Sequence, residues 1–341
     1  MPSPPHVNIG PEQGPARPSS PRDGFPAKGD APTGLSPMGR SGDRSDEWVG
    51  GAFGPSRGIL VVGHGTADQT GADETRQIAR LVAALLPGVP VELGFLEVIG
   101  PSIAESLLRL AARGCREVVA APLLLFKAGH ARQDVPAAVR DGARAAGVSC
   151  RQSDPLGCHE KIVALSRRRR REALALLAPS APESTVLVMV GRGSSDPGAH
   201  RQLEEFTAAT LHSERESRPG RVELGFVAAA RPTLAEAVAH AAGGSVLHAR
   251  HDEKSALESL RRDGVRRIIL QPHLLFSGHV QEQVSAAAAA GRATHPEIEW
   301  VQVERLGPDP LVAEALVERA AEAVGEGPGR AAEWTISPET T

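Results

Sequence analysis

Three side chains able to hold a divalent metal ion or accept a proton stand at the ends of three apolar runs. His64 follows Gly58-Ile59-Leu60-Val61-Val62 and lies between Gly63 and Gly65, where missing side chains let a ligand approach the backbone. Glu97 closes the run 89–97, and His130 follows the run 117–125 inside Gly129-His130-Ala131-Arg132. Imidazole exchanges protons near neutral pH and binds first-row ions, and two imidazoles with one carboxylate suit such an ion with open positions. Taken singly, His64 is also what a glycine-flanked turn carries incidentally, and Glu97 is also a suitable anion for the helix opened by Pro101. The weight rests on the three together.

The elements that must position them are legible in the same runs. Apolar strands without polar alternation, separated by helical stretches, predict a parallel α/β sheet covered on both faces. Ile78, Leu81, Val82, Leu85 and Leu86 recur as one helical stripe after the first strand. A second helix is expected from Pro101 to Gly114, and a third after Pro136, with a loop running through His130. Ligands of such sheets sit at the carboxyl ends of the strands, where all three candidates fall.

The second half repeats the first. Val91-Glu92-Leu93-Gly94-Phe95 recurs unchanged at 222–226, an offset of 131, and Pro101 keeps that offset at Pro232. Gly63-His64-Gly65 corresponds to Gly191-Arg192-Gly193 at an offset of 128, and Pro122-Leu123-Leu124-Leu125-Phe126 to Pro272-His273-Leu274-Leu275-Phe276 at 150. So many ordered matches indicate an internal duplication with 19 residues inserted between Pro232 and about Ser255. The expected product is two similar lobes, at 57–180 and 181–325, with a cleft between them. Residues 1–56, crowded with Pro, Gly, Ser and charge, and residues 326–341 read as tails outside the cores.

The halves differ where chemistry is concerned. Arg192 replaces His64, Ala228 replaces Glu97, and His279 approximates His130 with one residue less spacing from the strand proline. A half that lacks two ligands and carries a guanidinium suits an anionic substrate, with Ser194 and Ser195 beside Arg192; a surface arginine in a polar turn is the plainer account. His240, His248 and His251 fall in or beside the insertion at irregular spacing and read as solvated, as does the helical run Arg167 to Arg171. His159, whose repeat partner is Asp309, reads as structural or exposed.

Composition narrows the classes further. A net charge of -3 and 3% aromatic residues argue against nucleic acid as a partner. No apolar run is long enough for a membrane span, so no membrane partner is expected. Three cysteines without C-x-x-C spacing point to neither a disulfide framework nor a zinc knuckle and fit a reducing cytoplasm. No phosphate-binding G-x-x-x-x-G-K-[ST] loop occurs.

Val61-Val62-Gly63-His64-Gly65-Thr66, the segment from Gly129 to Pro136, and Val190-Gly191-Arg192-Gly193-Ser194-Ser195-Asp196-Pro197 together resemble the long, two-repeat form of the sirohydrochlorin chelatase family, over roughly Gly58 to Val324. The resemblance implies two α/β lobes around a cleft. It also implies insertion of Co2+ or Fe2+ into a sirohydrochlorin-type tetrapyrrole, for cobalamin or siroheme biosynthesis, with no cofactor beyond the substrate ion. On it, His64 and His130 carry over as metal ligand and proton acceptor and Glu97 as the acidic residue between them. Arg192 and Arg132 are candidate partners for substrate carboxylates. Two other classes are open to the residues: a non-catalytic tetrapyrrole or metal carrier, and a histidine-phosphatase-like enzyme. The latter's Arg-His-Gly signature is broken here by Gly63.

Overall fold

The computed structural model describes residues 53–126, 130–175, 177–212, 218–243 and 264–325, and gives residues 130–132 as backbone. The expected tails, except residues 53–56, lie outside these residues, as do His248 and His251. Phe53, inside the expected N-terminal tail, is buried in the first core.

The first half runs β1 (Arg57–Gly63), α1 (Gln69–Leu85), β2 (Val91–Phe95), α2 (Ile103–Ala112), β3 (Glu117–Pro122), α3 (His130–Ala146), β4 (Ser149–Gln152) and α4 (Glu160–Leu174). The second half repeats it as β5 (Thr185–Gly191), α5 (Pro197–Leu211), β6 (Arg221–Phe226), α6 (Leu234–Ala241), β7 (Arg267–Pro272), α7 (His279–Thr294), β8 (Glu299–Gln302) and α8 (Pro310–Gly325). Each half forms a four-stranded sheet, ordered β2-β1-β3-β4 and β6-β5-β7-β8, with every pair parallel. Register repeats as well: Ile59 lies opposite Val91 and Val119, and Leu187 opposite Val222 and Ile269. In both sheets the order reverses beside the first strand, so a crevice opens at the carboxyl ends of β1 and β3 and of β5 and β7.

Alternate residues of β1 feed two cores. Leu60 and Val62 pack with Ile103, Leu107 and Leu110 of α2 and Val135 and Val139 of α3. Ile59 and Val61 pack with Ile78 and Val82 of α1, while Leu85 of the expected stripe stays exposed at the helix end. Helix α3 starts at His130, not after Pro136, which lies inside it. Its repeat α7, which carries Ser285 near that place, also starts at its histidine, so the fold sets the helix start and the proline is accommodated.

The last helices of the two halves are exchanged. Val312, Leu316 and Ala320 of α8 share the core of Ile59, Val61 and Val119 on the first sheet. Ala173 and Leu174 at the end of α4 pack against Leu187, Ile269 and Val301 of the second sheet. This corrects the reading of Arg167 to Arg171 as a solvated run. Arg170 is 2% exposed and donates to Gln271 Oε1 at 2.7 Å and to the Thr210 carbonyl at 3.1 Å, while Gln271 donates to the Ser166 carbonyl and hydroxyl at 2.8 Å. Arg167 donates to the Thr210 carbonyl at 2.9 Å, Arg168 and Arg169 engage Asp309, and Arg171 is exposed. No helix among the described residues is long and apolar enough to cross a membrane.

Candidate functional site

Strand β1 delivers His64 to the carboxyl edge, and the turn after it binds this residue to the loop after β2. The Leu96 amide donates to the Gly63 carbonyl at 2.9 Å and the Glu97 amide to the His64 carbonyl at 3.1 Å, which extends the strand pairing by two residues. Gly65 has φ +98°, and a Cβ there would stand 1.9 Å from the Glu97 carbonyl oxygen, so only glycine allows the loops to close this far. Beyond this join, His64 Nδ1 lies 3.5 Å from Glu97 Oε1, with the imidazole 33% and the carboxylate 57% exposed. Two ligands bonded to one small ion at about 2.1 Å each and near right angles would stand roughly 3 Å apart, so the pair needs little movement to share one.

His130 is the first residue of α3, at the end of the crossover loop from β3, on the other side of β1 from Glu97. Of the three expected ligands the structure brings His64 and Glu97 together and places the backbone of the third; the side chains of His130 and Arg132 lie outside the described residues. Among the described residues no three of His, Cys, Asp or Glu gather as a metal-binding group.

The second half builds the same join with other side chains. The Ala228 amide donates to the Arg192 carbonyl at 2.9 Å, Gly193 has φ +90°, and a Cβ on it would stand 1.7 Å from the Ala228 carbonyl oxygen. Arg192 thus occupies the backbone position of His64, is exposed, and has methyl-bearing Ala228 where Glu97 would be. The Ser194 hydroxyl accepts from the Asp196 amide at 3.1 Å, as the Thr66 hydroxyl does from Asp68 at the same distance, so it braces the turn that caps α5. Ser195 is exposed. His279 is the first residue of α7, and His130 is the first described residue of α3, so the two histidines are equivalent by element.

Two features escaped the sequence. His273, the repeat partner of Leu123, is buried between Phe206 at 3.9 Å and Phe126 at 4.8 Å, ring to ring. Neither ring nitrogen has a hydrogen-bond partner among the described residues, and burial pushes the pKa down to about 3. Phe126 belongs to the first half and ends the described part of the loop toward His130, so His273 backs that loop from across the seam. Glu74 of α1 likewise reaches across, accepting from the Ser277 amide at 2.8 Å and pairing with Arg305. The signal for His273 was a lone polar residue inside an apolar run; Glu74 gave none. His159 caps α4 and meets Glu318 at 3.2 Å, and its partner Asp309 accepts from the Leu311 amide at the start of α8, so both are structural. His240 pairs with Glu223 at 2.8 Å.

The family model described as CbiX matches this chain twice, at residues 58–173 and 186–323. A sirohydrochlorin cobaltochelatase of Priestia megaterium is 26% identical over 267 residues, covering 78% of this chain and 79% of the relative. A sirohydrochlorin ferrochelatase of Bacillus subtilis (strain 168) is 28% identical over 280 residues, 80% of this chain and 94% of the relative. Among solved structures, SirB from Bacillus subtilis with Fe3+ superposes with a TM-score of 0.64 at 24% identity, over 79% of this chain and 96% of that one, a likeness of fold.

Proposed function

The chain belongs to the CbiX family, and from that membership we propose that it is a sirohydrochlorin chelatase, a lyase-class enzyme that places Co2+ or Fe2+ in a carboxylate-bearing tetrapyrrole. The observation that carries the reading is the paired His64 and Glu97 at the mouth of the first sheet, set against Arg192 and Ala228 at the same place in the second. One mouth presents ligands for a cation; the other presents a cation for an anion.

Insertion requires an ion stripped of part of its water and an acceptor for the two pyrrole protons that each divalent ion replaces. Imidazole serves either need at working pH, and the carboxylate beside it offsets the ion's charge. His64 and His130 share the roles of ligand and proton acceptor, and Glu97 acts as auxiliary ligand. Arg192, with Ser195 beside it, and Arg132 hold substrate carboxylates by charge-assisted hydrogen bonds, while Ser194 supports the turn. This exchange of an ion for two protons needs neither nucleotide nor redox cofactor. Its partners are the tetrapyrrole and the ion, without nucleic acid or membrane, and the cytoplasm suits buried free thiols at Cys115 and Cys150.

The test follows the tetrapyrrole's absorbance as Co2+ or Fe2+ is added with catalytic amounts of protein. Multiple turnovers that His64→Ala abolishes support the reading. Stoichiometric binding without turnover would instead make the chain a carrier. Comparing initial rates with the two ions decides which one it prefers.

A further inference from the structure

Next to Glu97 stands a residue that neither the core nor the turn explains. Val98 has φ +69°, the left-handed region that a β-branched side chain rarely occupies, and it is the central residue of a γ-turn closed by the Ile99 amide on the Glu97 carbonyl at 2.8 Å. The residue is 64% exposed, the largest exposure among the large apolar residues described as exposed. In the second half Ala229 holds the matching position at φ +53°, with no branched side chain. A valine here therefore carries backbone strain while most of its surface stays uncovered within the protein, so burial offsets little of that strain.

Resting on the chelatase reading above, we infer that Val98 is a substrate-contacting residue, an apolar shelf against which the tetrapyrrole lies while the ion passes from the His64 and Glu97 pair. The placement follows from connectivity. The Glu97 amide is bonded to the His64 carbonyl, the two side chains are 3.5 Å apart, and Val98 is the next residue. Successive Cα atoms are about 3.8 Å apart, so Val98 lies within reach of a macrocycle centred on an ion between His64 and Glu97. Such a ring has carboxylates at its rim and an apolar face, and Val98 supplies the surface that the face needs. Binding would cover the exposed side chain and recover in the complex what the free protein loses to strain.

Three variants separate this role from a structural one: Val98→Gly, Val98→Ile and, as the control in the other half, Ala229→Gly. Thermal unfolding, Co2+ affinity without tetrapyrrole, and KM and kcat for the tetrapyrrole are measured on each. Val98→Gly is expected to be no less stable than the parent and to bind Co2+ equally well. It should raise KM about tenfold through loss of one apolar contact, whereas Val98→Ile restores KM. Ala229→Gly should leave KM unchanged. An unchanged KM in Val98→Gly, or a loss of stability that accounts for its lower activity, overturns the inference. If the parent protein itself neither binds nor metallates the tetrapyrrole, the functional reading has failed and Val98 has lost its ligand. An effect confined to the variant's KM leaves that reading standing.

Discussion

At the scale of single residues, the duplication compares the chain with itself: one backbone join, closed by Gly65 and again by Gly193, presents a histidine with a carboxylate in one half and an arginine in the other. His64→Ala should lower the insertion rate by about 10²-fold or more, the usual worth of a positioned proton acceptor, while tetrapyrrole binding stays nearly unchanged. Arg192→Ala should weaken binding by about 1.5–3 kcal/mol, the worth of a charge-assisted hydrogen bond, and change kcat little. Binding is read from the tetrapyrrole's absorbance and turnover from its shift on metallation; the reverse pattern would move the reaction to the second half. His64 and Glu97 were legible because strand ends of neighbouring strands must lie side by side. His273 was not, because a histidine within an apolar run does not announce whether it finds a partner. Its folded pKa of about 3 lies below the unfolded value of about 6.5, so its neutral form supports the fold above pH 6.5. That support is lost progressively as the pH falls from about 6.5 toward 3. His273→Leu, which copies Leu123, should therefore be progressively more stable relative to the parent in denaturant titrations at pH 7, 6 and 5.

At the scale of elements, strand and helix identities followed from apolar runs, and the repeat fixed their order twice. What the pattern could not supply was which sheet a helix covers. The apolar positions of α8 declare that it is buried, but its neighbours Ile59 and Val119 are some two hundred residues away in the chain, and nothing local distinguishes them from the second sheet. The arginine run of α4 misled for the same reason, since five successive charges read as solvated until Gln271 and the Thr210 carbonyl are brought against Arg170. Arg170→Met should cost about 2–4 kcal/mol by stranding those two buried acceptors, whereas the exposed Arg171→Ala should stay within about 0.5 kcal/mol. Urea unfolding of both variants measures the difference, and equal effects would return the run to the solvated surface.

At the scale of the whole molecule, Phe53, the first described residue, already lies in the first core a few residues before the first strand. A chain limited to residues 53–325 should keep the parent's melting behaviour and insertion rate. Starting at residue 57 instead removes a buried aromatic ring and should cost about 3–5 kcal/mol, as large-to-small changes in cores do. Loss of turnover in a folded 53–325 chain would give the outlying segments a role that composition alone did not suggest.

The exchange of α4 and α8 bears on how this molecule comes apart. The opposite half supplies part of one wall of each sheet, α8 beside α1 on the first and the end of α4 beside Leu211 on the second, so opening either half strips apolar surface from its twin. A scanning calorimeter should therefore record one endotherm, not two, with the calorimetric enthalpy matching the van 't Hoff value. Doubling the sequence has not doubled the number of things that can melt.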